Sequence, residues 1–330
     1  MHNAPGESVF DVTDLTVEFH GRRGIVRAVD GVSFSVDRGR TLAIVGESGS
    51  GKSTTALALS GLLPRPAGRI VAGSVRFEGR PLITRADFQS VLGDGIAMIF
   101  QDPMSSLNPV MTVGRQIGEA LRRKRGFSAK AARLRAIELM ERVQIPAASN
   151  RVDDYPHQFS GGMRQRVMIA LAIALDPKVL IADEPTTALD VTVQSEIMAL
   201  LAEMRDELDM GIILITHDLG VVAESAHDAL VMYGGKTVEF GPVGEAFVTP
   251  GHPYTRALMR SIPHFDDVLD RLPSIPGSPP DPRNLPSGCA FNPRCEFSTE
   301  LCRTEIPPMV SLDLEHGSAC HYAKELRAHV

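Results

Sequence analysis

Eight consecutive residues, Gly46, Glu47, Ser48, Gly49, Ser50, Gly51, Lys52 and Ser53, fit the spacing G-x-x-x-x-G-K-[ST]. Glycines at these intervals let successive backbone N–H groups turn inward and cradle phosphate oxygens. Lys52 would bridge the β- and γ-phosphates of ATP, and the Ser53 hydroxyl would ligate Mg²⁺. Thr54 joins the same phosphate-facing set. A second chemical pair stands far along the chain, where VLIA at 179–182 runs into Asp183 and Glu184. Asp183 is placed to hold Mg²⁺ through water. Glu184, one residue on, is the candidate general base that polarises an attacking water.

Such groups need strand ends to hold them. TLAIV at 41–45 is a short continuous apolar run, as expected of a strand buried on both faces of a parallel sheet. It leads into the glycine loop and then an apolar helix expected over 54–62, whose positive dipole end faces the same anion. VLIA at 179–182 and IILI at 212–215 repeat the strand signal, and each ends in polar residues. In open α/β sheets ligands bind at the carboxyl ends of strands, so three such ends imply one shared site. Residues 9–19 and 33–36 alternate with period two and read as β. A polar, helix-biased stretch covers 103–154; there Ser128 caps a helix with Ala132, Ala136, Leu139, Met140 and Val143 on one face. The basic cluster at 122–125 reads as a solvated helix face. Beyond Gly241 prolines multiply, Pro263 and Pro273 among them, and periodicity fades, which places a boundary near 245–255 and a loop-rich module after it.

Composition narrows the classes. The 330 residues are 43% hydrophobic and 22% charged, enough for two domains with sizeable cores. A net charge of −6 argues against nucleic acid as a partner of the whole protein. The first residues lack the charged and apolar regions of a secretory signal, and no run approaches the roughly 20 apolar residues that cross a bilayer. A soluble chain is expected. All four cysteines, Cys289, Cys295, Cys302 and Cys320, lie near the C-terminus with the spacing C-x5-C-x6-C-x17-C. Four thiolates in a proline-stiffened loop can surround one metal, but this spacing does not name which.

Phe159, Ser160, Gly161, Gly162, Met163, Arg164 and Gln165, just ahead of the Asp183 strand, resemble the signature motif of ABC ATPases. Phe159 and Met163 depart from the family's leucine and glutamine, while the serine and both glycines remain. The resemblance covers about residues 8–245 and implies an α/β P-loop NTPase with a RecA-like core. It implies a nucleotide-binding domain over 1–250, with a helical subdomain at about 103–165, and a C-terminal extension over 251–330. By the same resemblance Gln101 is the Q-loop glutamine that senses Mg²⁺, and Ala188, Leu189 and Asp190 form the D-loop. His217 is the switch histidine at the γ-phosphate, and Phe19 stacks on adenine. In this family Ser160, Gly161 and Gly162 of one subunit complete the P-loop site of a second, so two ATP molecules clamp an ATPase dimer and hydrolysis parts it.

Gly251 to Leu258 (GHPYTRAL) and QDPMSSLNP at 101–109 are similar to the peptide-importer branch of that family, whose extension also occurs in importers of nickel and other solutes. The resemblance implies two membrane permeases, an extracytoplasmic solute-binding protein, and a second ATPase that is another copy or a sibling. It implies a peripheral place on the cytoplasmic face of a prokaryotic membrane. The four-cysteine extension resembles a [4Fe–4S] site; zinc, or free or paired thiols, are the alternatives. An exporter subunit, a non-transport ABC ATPase and a nucleotide-binding regulator without turnover are the rival readings.

Overall fold

TLAIV folds as the strand Thr41–Val45 with all five residues buried. Burial on both faces is what the inside of a parallel sheet demands, and the strand pairs in parallel with Asp228–Tyr233, Leu42 opposite Asp228. This computed structural model describes residues 8–22, 24–102, 106–187, 189–261 and 275–328. Pro103, Met104, Ser105, Ala188, Pro263 and Pro273, which carry expectations from the sequence, lie outside the described residues. The chain divides into two units, one of residues 1–36, 41–83 and 214–330 and one of residues 37–40 and 84–213. The division falls inside the strand Gly211–Thr216.

In the first unit the early β signal becomes a four-stranded sheet in the order Gly24–Asp37, Ser8–Gly21, Gly68–Phe77, Arg80–Pro81, the last three paired antiparallel. Its register sets Phe10 opposite Phe77 and Phe19 opposite Gly68. The helix expected over 54–62 runs instead from Lys52 to Leu59. It starts as soon as Gly51 turns the chain, and it stops before Gly61, whose φ of 67° breaks the helix.

Asp228–Tyr233 also pairs antiparallel with Lys236–Pro242, which is extended by the short strand Gly317–Ser318, Glu239 opposite Ser318. Residues beyond 250 therefore share a core with the nucleotide-loop strand: Tyr254 and Phe291 pack with Ala43, Val45 and Val231. A buried polar knot secures them. Glu239 is fully buried, and its carboxylate accepts hydrogen bonds from the Gly251 amide at 2.6 Å, the His252 amide at 3.1 Å and His316 Nε2 at 2.9 Å. A buried carboxylate with three partners recovers the solvation that it loses.

In the second unit the polar stretch forms the helices Val113–Arg125, Ala129–Arg142 and Ala148–Arg151. Ser128 caps the middle one, its hydroxyl accepting from the Ala131 amide at 3.2 Å, and Ala132, Ala136, Leu139, Met140 and Val143 are all buried. The first two pack closely because Gly118 faces Ala132, where even a methyl group would stand 3.3 Å from the alanine Cβ. The basic cluster at 122–125 is exposed, as expected, although Arg125 also donates to the Leu175 carbonyl at 2.9 Å. Ile96–Ile99 pairs in parallel with Val179–Asp183, Ile99 opposite Ala182.

Candidate functional site

In the first unit, the loop between Thr41–Val45 and its helix is shaped by glycines that nothing larger could replace. Gly46 has a φ of 149°, and a Cβ there would overlap the Met232 carbonyl; Gly51 has a φ of 106°, and a Cβ would overlap the Ala28 carbonyl. Lys52 is buried, and its Nζ donates to the Gly46 carbonyl at 2.6 Å and the Glu47 carbonyl at 3.0 Å. The ammonium is thus held over the loop's own backbone, where an incoming phosphate can exchange for those carbonyls. Ser48, Gly49 and Ser53 are exposed, Thr54 is half-buried and Ser50 is buried, its amide donating to the Glu47 carbonyl at 3.2 Å. His217 is exposed just past the strand Gly211–Thr216. Asp218 beside it caps the next helix, accepting from the Gly220 and Val221 amides at 2.9 and 3.2 Å. Phe19 is half-buried, with a ring carbon 3.1 Å from the place of a Cβ on Gly68.

In the second unit the parallel register decides the geometry. With Ile99 opposite Ala182, Gln101 and Glu184 each stand two residues beyond a paired position, and Gln101 Nε2 donates to Glu184 Oε2 at 2.9 Å. Thr187 Oγ1 donates to the same oxygen at 2.8 Å. Glu184 has a φ of 48°, a left-handed conformation that costs a residue of this type about 1 kcal/mol or more and is concentrated at functional sites. The buried Asp183 directly before it ends the strand. Thr187 was not found from the sequence; its signal is the i, i+3 offset from the acid in a turn that cannot be helical.

Ser160 caps the helix Gly161–Ile173, its hydroxyl accepting from the Met163 amide at 3.3 Å. Gly162 lets that helix approach its neighbour: a Cβ would stand 2.8 Å from Val193 Cγ1. The two departures from the family pattern share one partner. The Arg151 guanidinium lies 5.1 Å from the centre of the buried Phe159 ring, and its Nη1 is 3.2 Å from Met163 Sδ. The contact with the ring is a cation–π attraction. Leu189 lies 3.8 Å from the place of a Cβ on Gly161. Asp190 caps the following helix through the Val193 amide at 3.0 Å.

The four cysteines, all free, line one cavity. Burial pushes the Cys320 thiol up to about 12 and the Cys295 thiol up to about 11, and it raises Cys289; neighbouring cysteines add to each. These thiols are held protonated, so they are not reactive thiolates. Among the described residues no three His, Cys, Asp or Glu side chains are grouped so that they could hold a metal ion. That gives no support to the metal centre expected at Cys289, Cys295, Cys302 and Cys320, whose side chains nonetheless line one cavity. Among the same residues no helix is long and apolar enough to cross a membrane.

The ABC transporter family profile matches residues 29–187, and the profile of the oligopeptide/dipeptide transporter C-terminal region matches residues 238–302. The dipeptide transport ATP-binding protein DppD of Escherichia coli (strain K12) is 49% identical over 317 residues, 96% of this chain and 97% of that protein. A Brucella melitensis protein named for peptide import ATP binding is 54% identical over 314 residues, 94% of each chain. Among solved structures, the ATP-binding cassette MJ0796, in a dimeric post-hydrolysis state bound to ADP and Pi, has a TM-score of 0.63 at 26% identity, covering 71% of this chain and 98% of its own. CbiO1 of Clostridium perfringens, part of the transporter complex cbiONQ, has a TM-score of 0.62 at 30% identity, covering 73% and 91%. Similarity that runs end to end, through both the nucleotide loop and the C-terminal region, establishes that this chain belongs to the ABC transporter family, as an ATP-hydrolysing subunit of its importer branch.

Proposed function

We propose that this chain powers the import of dipeptides or oligopeptides, hydrolysing Mg·ATP as one of two ATPase subunits beneath two separate permeases. The observation that carries the hydrolytic part is Glu184, a carboxylate fixed at a strand end by Gln101 and Thr187 directly after the buried Asp183. Held there, it can accept a proton from the attacking water as the γ-phosphoryl group leaves. Lys52 and His217 offset the charge that develops on that group, and Ser160, Gly161 and Gly162 of the partner subunit contribute a second helix N-terminus. Phe19 stacks on the adenine. Mg²⁺ would be held by Ser53, Gln101 and Asp183, whose oxygens suit it, and would offset the negative charge of the phosphates.

The solute class rests on the C-terminal region and on the nearly full-length likeness to the E. coli dipeptide transporter's subunit. On this reading residues 1–250 are the nucleotide-binding domain, about 103–165 its helical subdomain, and 251–330 the importer extension. The subunit sits on the cytoplasmic face of a prokaryotic membrane and receives solute through an extracytoplasmic binding protein. In the same extension Cys289, Cys295, Cys302 and Cys320 hold a metal centre, a [4Fe–4S] cluster before zinc. The convergence of four thiols on one cavity supports it, and a bound cation would favour the thiolate form that ligation requires. Iron and sulfide in protein purified without oxygen favour the cluster; stoichiometric zinc in colourless protein rejects it. The function itself is tested by the ATPase of the reconstituted assembly. Di- and oligopeptides with the binding protein should raise turnover, whereas stimulation by nickel and not by peptides would overturn the assignment.

A further inference from the structure

Glu47 is an unexpected residue to find in a loop that receives a triphosphate. A carboxylate beside an anion site repels the ligand unless it is neutralised. Here it is neutralised by a residue 247 positions away: Arg294 Nη1 lies 2.6 Å from Glu47 Oε2, and its Nη2 lies 3.0 Å from Oε1. Two-pronged pairing of this kind fixes geometry as well as charge. The Arg294 side chain is 5% exposed and has few alternatives. Its Nε donates to the Pro276 carbonyl at 2.8 Å and its Nη1 to the Tyr233 hydroxyl at 3.2 Å, and the guanidinium lies 5.9 Å from the centres of both the Tyr233 and Phe291 rings.

The backbone of Glu47 is held as firmly. Its amide donates to the hydroxyl of the fully buried Tyr254 at 2.7 Å, and its carbonyl accepts from Lys52 Nζ. Tyr254 is locked in turn between the Tyr233 and Phe291 rings, with centroids 4.5 and 5.3 Å away. Amide, carbonyl and carboxylate of one loop residue are thus all engaged, two of the three by residues of the C-terminal region. The peptide that gives Lys52 its resting place is set from there.

We propose that Arg294 and Tyr254 are positioning residues for the phosphate loop, acting through Glu47, so that the C-terminal region sets the affinity of the site for ATP. The inference rests on the reading of this loop as an ATP site. It explains why residues so distant in sequence share a core with the strand that leads into the loop.

The test is equilibrium binding of a fluorescent ATP analogue with Mg²⁺ to the full-length chain, in a cycle of Arg294→Gln and Glu47→Gln. R294Q should weaken binding about tenfold in the wild-type background, a loss of about 1.4 kcal/mol. In the E47Q background the same change should alter affinity less than about twofold, because the carboxylate that Arg294 serves is gone. In the reconstituted assembly R294Q should raise KM for ATP while leaving kcat within about twofold. Equal affinity of R294Q and wild type, or an equal loss in both backgrounds, would overturn the proposal. Should R294Q not fold, Tyr254→Phe carries the test: it removes one hydroxyl from a buried ring and should weaken binding about threefold, and unchanged affinity would overturn the proposal equally. Failure of the wild-type chain to bind the analogue would overturn the ATP-site reading and this proposal with it, whereas equal binding by wild type and R294Q overturns this proposal alone.

Discussion

A single carboxylate is proposed to separate nucleotide binding from turnover. Glu184 takes its orientation from Gln101 and Thr187, so its removal should spare binding and stop chemistry. Glu184→Gln is expected to retain Mg·ATP and to lower hydrolysis by at least about 100-fold, measured as steady-state phosphate release from the assembly. Undiminished release would remove Glu184 from the role of base. Thr187→Ala, which frees one side of the carboxylate, should cost about tenfold in kcat with little change in KM. At this scale the sequence was highly readable where spacing is local, as in Gly46 to Ser53, because one turn of backbone fixes which atoms meet. It was silent on Arg294 and Glu47, since a contact across 247 residues leaves no local pattern.

Among the elements, the helix Gly161–Ile173 carries the most function for its length. On the proposed reading its first turn would face a partner's nucleotide; its flank is tied by Arg166, whose Nη1 donates to the Val143 carbonyl at 3.0 Å and whose Nη2 donates to Glu196 at 2.8 Å. Ser160→Ala removes the cap and should cost about 1 kcal/mol of stability, read as a shift in denaturant midpoint. It should also reduce hydrolysis in a dimer while leaving ATP binding to the isolated chain unchanged. The strand TLAIV and the Ser128 cap were legible because continuous apolar runs and capping residues have one structural meaning each. The C-terminal segment was less so. Its prolines signalled irregular chain, but not that Gly317–Ser318 would join the strand Lys236–Pro242, nor that Tyr254 and Phe291 would enter the same core as Ala43 and Val45. Two-residue strands and buried single aromatics have no periodicity to read.

For the whole molecule, the buried His252 makes the fold sensitive to acid. His252 is fully buried, and burial pushes its pKa down from 6.5 to about 3. Its Nδ1 accepts from the Tyr254 amide at 3.0 Å, an arrangement only the neutral ring can make. The unfolded chain takes up this proton near pH 6.5 and the folded one only near 3, so stability is full above 6.5 and falls as pH drops through that window. The loss is about 1.4 kcal/mol per pH unit. Replacing His252 with Asn keeps an acceptor for the Tyr254 amide and should flatten that part of the unfolding free energy against pH; an unchanged slope would assign the acid sensitivity elsewhere. Because His252 precedes Tyr254, loosening here should reach the nucleotide loop through the Glu47 amide. The proposed function depends on that loop gripping a triphosphate, so the most direct measurement compares wild type with Lys52→Ala in the reconstituted assembly, following Mg·ATP binding and peptide uptake together. The expected result is that the wild type binds Mg·ATP, that the substitution weakens binding at least about 100-fold and that uptake stops with it. Retained binding and undiminished uptake in the Lys52→Ala assembly would contradict it.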